Sequence, residues 1–437
     1  MSFDQAAALL VLIAVVAALV WGKARADVVA LTGAAALLVS GAIRPVEVQG
    51  AFASPAILAL ASLFVIAYAL ELSGLLGALI RAAIGLSRRL GALGLWVVIF
   101  LCGGASAFLN NTPIVVLAAP VVRDVAQSLG RSPRRFLIPL SYVSILGGSC
   151  TLIGTSTNLL VNDMARTGGQ PTFSMFEVTP VGLVVAITGG LYLFLVGGRL
   201  LERRDGRPEA ASPDEAIQSA SDADTASLGD PSLFAIDRPL DRRRAFTALT
   251  VFVGVVAVAA LGIAPIAASA FAGAVLLILL RVISAEQAYK GLRPDILLLI
   301  AGMVVIGLSL EVTGLAAAAT DGLMASVKPL GPLVALVLIY GVSLFLTEIL
   351  SNAAIAVLLT PVAIALAESL GVSPRPFLVA VMMSASAAFA TPFGYQTNVL
   401  VYKMGGYSYL DFVRIGVPLN LLTWAVGVTA IAYFFPF

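Results

Sequence analysis

The sequence predicts an all-α polytopic membrane protein made of two inverted repeats, each of five transmembrane helices with a re-entrant hairpin and a broken helix. Three observations predict it. Of the 437 residues 60% are hydrophobic and 11% charged, against roughly 25% charged in soluble domains, and successive apolar runs of about 17 to 22 residues can each cross a hydrocarbon core about 30 Å thick. Polar and turn motifs of the first half return in the second at a spacing near 240. Counting crossings gives each half an odd number, which turns the second copy upside down.

Apolar segments fall near residues 6–22, 26–43, 54–73, 92–109, 136–160 and 178–199, then near 245–262, 264–281, 294–313, 330–346, 376–400 and 412–435. The run at 92–109 meets a polar tip, Asn110 to Pro113, and continues into Ile114 to Val125, which is too short for an independent span. A hairpin over about 92–125 that enters and leaves by one side is expected, with a counterpart over about 330–366 whose second arm is Ala353 to Leu366. Broken helices are expected over about 136–163 and 376–404. Between the halves, Leu201 to Arg244 is rich in Asp, Ala, Ser and Pro and poor in large apolar side chains, so it cannot bury enough surface to fold by itself. The organisation is then a first membrane repeat (1–200), a flexible linker (201–244) and a second, inverted membrane repeat (245–437).

The internal match is ordered. ELSGL (71–75) pairs with EVTGL (311–315), and NTPIVVLAAPVVRDVAQSLGRSPRRFL (111–137) with NAAIAVLLTPVAIALAESLGVSPRPFL (352–378), so that Pro120 meets Pro361 and the GxSPRxF turns coincide. GTSTNLLVNDM (154–164) follows over GYQTNVLVYKM (394–404), and FSMFE (173–177) over YSYLD (407–411). Chance likeness between apolar helices does not produce such a series.

Positive charge tests the crossing count. With the N-terminus outside and both hairpins re-entrant, 22 of the 26 Lys and Arg residues face the cytoplasm, and only Arg44, Arg166, Lys328 and Arg375 remain outside. Twelve plain spans would put Arg123, Arg131, Arg134 and Arg135 outside as well. Both termini are therefore expected outside and the linker in the cytoplasm, and the first apolar run, with no basic stretch before it, reads as a retained span. The Ala-, Gly- and Arg-rich usage suggests a bacterial inner (plasma) membrane.

Composition also excludes chemistry. There is no His, which removes imidazole metal sites, Ser-His-Asp triads and histidine proton relays. Cys102 and Cys150 lie in apolar surroundings and read as small packing residues. A net charge of +2, with Lys and Arg between apolar segments, gives no nucleic-acid face. No paired catalytic acids or Ser-Lys dyad lie at membrane depth, so an enzyme is not expected.

Four polar clusters at membrane depth carry the functional reading. Asn110, Asn111 and Thr112 top the first hairpin and Ser351 and Asn352 the second; Gly154-Thr155-Ser156-Thr157-Asn158 and Gly394-Tyr395-Gln396-Thr397-Asn398 interrupt the helices that follow. Pro113 and Pro392 lack an N–H, and Gly148, Gly154 and Gly394 favour unwinding. Non-helical backbone at that depth must be buried in protein or line a wet cavity, where freed carbonyls hold a cation and exposed N–H groups an anion. Ser141, Ser144, Ser384 and Ser386 taken singly read as helix-to-helix glue. Glu348 is an acid inside a hairpin arm, read either as a hydrogen-bonded stabiliser of the hairpin or as a cation or proton coupling group. Glu71 and Glu311 read as interfacial, and Asp163 as a surface charge at the far end of its helix. No Lys or Arg lies in the four clusters, so a bound anion needs co-bound cations, helix N-termini and amides to balance it, which favours sodium coupling.

At these residues the sequence resembles the divalent anion/sodium symporters of the ion transporter superfamily. The likeness rests on the hairpin-tip triplets, the GT-x-x-N breaks and the TExxSN arm, Thr347 to Asn352, and covers both membrane halves. It implies a homodimer with a scaffold and an elevator-type transport domain. It also implies a substrate site at Asn110, Asn111, Thr112, Thr155, Ser351, Asn352, Ala353 and Thr397, and sodium held around Asn111, Gly154, Asn158, Asn352, Gly394 and Asn398. The first triplet begins with Asn110 rather than Ser, and Ala353 stands where Thr is expected. FLNN and GTSTN are closer to the sulfate-transporter-like branch, whose members often carry regulatory domains where this chain has only its linker. The function expected is sodium-coupled uptake of a small inorganic or organic dianion, sulfate or dicarboxylate, across the lipid bilayer. The alternative is proton- or sodium-coupled efflux of an oxyanion or arsenite.

Overall fold

The computed structural model describes residues 2–21, 24–201, 239–316, 318 and 331–437; most of the expected linker, 202–238, lies outside the described residues. Every regular element described is helical. The first half runs α1 (Phe3–Trp21), α2 (Ala26–Ser40), α3 (Pro45–Phe52), α4 (Pro55–Leu72), α5 (Leu75–Leu90), α6 (Ala92–Ser106), α7 (Asn111–Ser128), α8 (Arg134–Gly148), α9 (Ser156–Thr167) and α10 (Thr179–Tyr192), which continues through a π turn (Leu193–Gly197) into α11 (Gly198–Leu201). The second runs α12 (Arg242–Ala260), α13 (Ile266–Leu279), α14 (Ala285–Gly291), α15 (Pro294–Val312), α16 (Gly331–Leu346), α17 (Asn352–Leu370), α18 (Arg375–Ala385), α19 (Gln396–Gly405) and α20 (Tyr409–Phe434).

Local chemistry sets these ends. Proline opens α4 and α15 at the first helical position, where its missing N–H would have no partner anyway. Ser54 caps α4 by accepting from the Ala56 N–H at 3.0 Å, and Asp241 caps α12 by accepting from Arg243 and Arg244 N–H at 3.1 Å. The ELSGL and EVTGL turns share one geometry: Gly74 and Gly314 both adopt φ of 72°, a left-handed conformation that glycine takes without a Cβ penalty.

Among the described residues six helices are long and apolar enough to cross a membrane: Pro45–Leu72, Thr179–Gly197, Arg242–Ala260, Pro294–Val312, Asn352–Leu370 and Tyr409–Phe434. Six shorter apolar helices accompany them. The second hairpin arms are longer than expected. Helix continues through Pro120 to Ser128 and through Pro361 to Leu370, so at 1.5 Å per residue each arm measures about 27 Å. Length therefore does not separate these arms from spans. The stretch between 73 and 92, left without an apolar segment in the sequence reading, forms α5, which packs on α6 and α7.

Two groups of helices emerge. In one, α2 packs against α15 and α13 against α4, with α1 on α2 and α12 on α13. In the other, α6 and α7 pack on α8, α16 and α17 on α18, α9 on α17, α19 on α7, and α10 on α20. Each contact has a counterpart with the halves exchanged. Gly147 lets α8 meet α6 backbone to backbone, since a Cβ there would lie 2.0 Å from the Gly103 carbonyl oxygen, the small-residue packing usual between apolar helices. The groups meet where α4 and α15 touch α9 and α15 touches α17.

Candidate functional site

Both hairpin tips turn into the protein beside the breaks. At the first, Asn110 caps α7, its Oδ1 accepting from the Thr112 N–H at 3.3 Å. Asn111 is buried with its amide engaged at both ends: Oδ1 accepts from Ser106 Oγ, and Nδ2 donates to the Tyr395 hydroxyl at 2.9 Å. Thr112 Oγ1 donates to Gln396 Oε1 at 2.9 Å. The first tip is thus bonded to the second break across the repeat. At the second tip Ser351 caps α17, Asn352 Oδ1 accepts from Thr347 Oγ1 at 2.8 Å, and Ala353 is half-buried against the apolar core. Ser106 and Thr347 each stand five residues before their asparagine, so the hydroxyl-to-amide bond is duplicated.

The two breaks share a set of matching hydrogen bonds. Gly154 N–H donates to Thr151 Oγ1 at 3.1 Å, as Gly394 N–H does to Thr391 Oγ1 at 3.2 Å. Asn158 Nδ2 donates to the Thr151 carbonyl at 2.9 Å, as Asn398 Nδ2 does to those of Ala388 at 2.8 Å and Thr391 at 3.3 Å. Each threonine hydroxyl reaches its own hairpin tip, Thr151 at the Ala107 carbonyl and Thr391 at that of Glu348. Thr151 and Thr391 were not singled out from the sequence, although the 240-residue register aligns them.

The two breaks differ in what completes them. Helix α8 braces the second: Ser141 Oγ lies 2.7 Å from both Thr397 Oγ1 and Asn398 Oδ1, and the Tyr142 hydroxyl donates to the Phe389 carbonyl. The matching stretch of α18, Val381 to Met383, is apolar. Asn158 Oδ1 in the first break is consequently buried with no hydrogen-bond partner, a state that costs about 1–3 kcal/mol unless something fills it. In the same break two carbonyl oxygens lie close to Gly154. A Cβ on Gly154 would lie 2.2 Å from the Gly148 carbonyl oxygen and 2.9 Å from that of Ala107. Thr155 Oγ1 caps α9 by accepting from the Asn158 N–H at 3.2 Å. Unwound carbonyls with an amide oxygen form a donor set suited to a small monovalent cation.

Glu348 takes the opposite part in the second break. Its carboxylate accepts from the Phe389, Ala390 and Thr391 N–H groups, Thr391 Oγ1 and Asn420 Nδ2 at 2.7 to 2.9 Å. Five donors fill the capacity of a carboxylate. Of its two sequence readings, the hydrogen-bonded stabiliser matches this geometry. The equivalent position in the first repeat is Ala107. Asp163, expected at the surface, is buried instead, paired with Arg166 at 3.1 Å, because the helical period places it on the face of Leu159 and Leu160.

One cleft is lined by Phe108 and Asn110 of the first tip, Gly154 and Ser156 of the first break, Leu60, Phe64 and Ala67 of α4, and Phe252 of α12. Residues of the second tip and second break do not line it. A second cleft adjoins it through Leu109, Asn110, Phe64 and Ala67, and is closed by Glu71, Pro113, Lys290 and Arg293. Of the expected site residues, Asn110 and Gly154 line these clefts, whereas Asn111, Thr112, Thr397 and Asn398 are spent on joining the two repeats.

Comparison with known proteins gives the family. The citrate transporter family CitMHS matches residues 16–371. The chain belongs to this family, a class of membrane transporters and not of enzymes. It is 26% identical to an uncharacterized transporter of Synechocystis over 91% of each chain, in an alignment of 564 positions that exceeds the 437 residues here. It is 35% identical to sodium/sulfate cotransporter 2 of Chlamydomonas reinhardtii over 36% of this chain and 18% of that one. With the sodium-dependent dicarboxylate transporter SdcS of Staphylococcus saprophyticus it shares 31% over 36% and 30%. The fold is similar to that of the Alcanivorax borkumensis YdaH transporter, with a TM-score of 0.57, 16% identity, and 88% and 86% of the two chains covered.

Proposed function

We propose that this transporter carries a small divalent anion, sulfate or a dicarboxylate, inward with sodium. The observation that carries the reading is the buried, unpartnered Asn158 Oδ1 in the break whose Gly154 lies against the Gly148 and Ala107 carbonyls and, with Asn110, lines the cleft. A cation there lies next to the anion cleft, and the tips and breaks hold no Lys or Arg to balance the anion otherwise. Sodium is cargo in this reading. Binding it orders the first break and tip, which completes the anion site.

The two repeats are opposed in the membrane, with both termini outside and the 201–244 segment cytoplasmic. The hairpins, broken helices, α10 and α20 move as one body against α1–α4 and α12–α15, in a homodimer. The crosswise bonds from Asn111 and Thr112 to Tyr395 and Gln396 support one body, and the apolar wall of Leu60, Phe64 and Phe252 offers a surface along which it slides. Proton-coupled efflux would call on Glu348, whose carboxylate is already engaged by five donors.

Uptake of radiolabelled sulfate, succinate and citrate into proteoliposomes, with and without an inward sodium gradient, tests the reading. Sodium-driven accumulation of one of them is expected. No accumulation of any anion under a sodium gradient would overturn it.

A further inference from the structure

We propose that the Ser141 hydroxyl stands where a second cation would otherwise sit, so that the two breaks of one chain hold a single sodium ion, in the first repeat; this rests on the sodium reading above. An arm of the opposite repeat packs against the helix that follows each break, α8 against α19 and α18 against α9. What the two arms bring differs. Ser141 is buried on α8 and donates to Asn398 Oδ1 at 2.7 Å. Its single hydrogen is spent there, so the Thr397 hydroxyl, also at 2.7 Å, is the donor of their other bond. Tyr142 donates to the Phe389 carbonyl. In the register that pairs Arg134 with Arg375, Met382 and Met383 take these places on α18, and a thioether has no hydrogen to donate.

Oxygens of the second break are therefore met from within the chain. Asn398 Nδ2 reaches the Ala388 and Thr391 carbonyls at 2.8 and 3.3 Å, Tyr142 that of Phe389, and Ser141 the Asn398 amide oxygen. A cation at a helix break is held by oxygen lone pairs. A hydroxyl hydrogen aimed at such an oxygen brings partial positive charge to the same spot and occupies the space of the ion. The first break has the matching amide bond, from Asn158 Nδ2 to the Thr151 carbonyl at 2.9 Å, but Asn158 Oδ1 is buried with no donor. Two breaks of like sequence thus differ in kind: one is completed by an ion and the other by a side chain. The number of sodium ions held per chain then follows from one residue of α8.

The test is equilibrium binding of radioactive sodium to the purified full-length protein in detergent, with the unfolding temperature in sodium-free buffer as the check that each variant is folded. The wild type is expected to bind one sodium per chain with a hyperbolic dependence on concentration. Met382→Ser gives α18 the hydroxyl that α8 already carries, aimed at Asn158 Oδ1, and is expected to weaken sodium binding about tenfold or more. Met382→Ala opens the same space without a donor and keeps the affinity within about twofold of the wild type. Ser141→Ala releases Asn398 Oδ1 and is expected to admit a second sodium. Two ions per chain in the wild type, equal affinity in the two Met382 variants, or a single ion in folded Ser141→Ala overturns the role given to Ser141 while sodium binding stands. Absence of sodium binding in the wild type overturns the sodium reading and this inference with it.

Discussion

The Arg134 guanidinium donates to the Asp411 carboxylate at 2.6 Å and to the Gly406 carbonyl at 2.9 Å, tying the start of the first broken helix to the loop before α20. Its repeat counterpart, Arg375, donates to Glu177 at 2.6 and 2.9 Å and to the carbonyls of Pro171 and Thr172 at 2.5 and 3.1 Å. Each guanidinium also covers a ring, Tyr407 at 4.9 Å and Phe173 at 3.9 Å from the centroid. The SPRxF turn of each half thus clamps the FSMFE or YSYLD loop of the other. Neither half closes without its partner.

The two clamps differ in burial, and their removal separates them. The Arg134 and Asp411 side chains are 15% and 6% exposed, against 23% and 27% for Arg375 and Glu177. Arg134→Ala removes an ion pair from a buried carboxylate and is expected to cost more stability than Arg375→Ala, because water reaches Glu177. Thermal unfolding in detergent measures both. Equal losses would contradict the burial argument.

Glu348→Gln replaces one carboxylate oxygen by an amide NH2 group, which cannot accept. The backbone donors of Phe389, Ala390 and Thr391 are then left partly unsatisfied, at about 1–3 kcal/mol. Uptake should fall at least tenfold together with the unfolding temperature. Full uptake with unchanged stability would mean the second break does not depend on this acid.

Asn158 and Asn398 should part company on substitution. Asn398→Ala removes bonds to Ser141, Ala388 and Thr391, so its main effect is loss of stability. Asn158→Ala removes the unpartnered oxygen, and the expected effect is weaker stabilisation of the folded protein by sodium, read as a smaller rise in unfolding temperature with sodium concentration. A sodium response unchanged in Asn158→Ala would place the cation elsewhere.

Gly154→Ala sets a methyl group 2.2 Å from the Gly148 carbonyl oxygen, closer than backbone can yield without moving the first break. Uptake should be lost, whereas Gly50→Ala, where a Cβ meets nothing within 4 Å, serves as the silent control. Wild-type transport in Gly154→Ala would show that the break is not held at this spacing.

Much of the fold was legible because it is duplicated. Apolar runs interrupted at matched places by Asn, Gly and Pro mark where helices end, and the helices near the expected starts begin at Ala92, Arg134, Gly331 and Arg375. The full arm lengths were not legible: the helices run past the expected ends, Val125 and Leu366, to Ser128 and Leu370. Nor was the burial of Asp163, because one charge near a helix end reads the same on either face.

The sequence by itself determined the all-helical membrane character, the two matched halves and the identity of the polar residues at depth, since hydropathy and repeat register are properties of the chain taken linearly. Only the tertiary structure decided which of those polar atoms are spent and which are open. Asn111 and Asn158 look alike in sequence, yet Asn111 is consumed by Ser106 and Tyr395 while the Asn158 oxygen stays unpartnered. The physical reason is that a hydrogen bond needs a donor in space. The donor that satisfies Asn398 is Ser141 of the opposite repeat, 257 residues away, and the apolar stretch at Val381 to Met383 supplies none to Asn158.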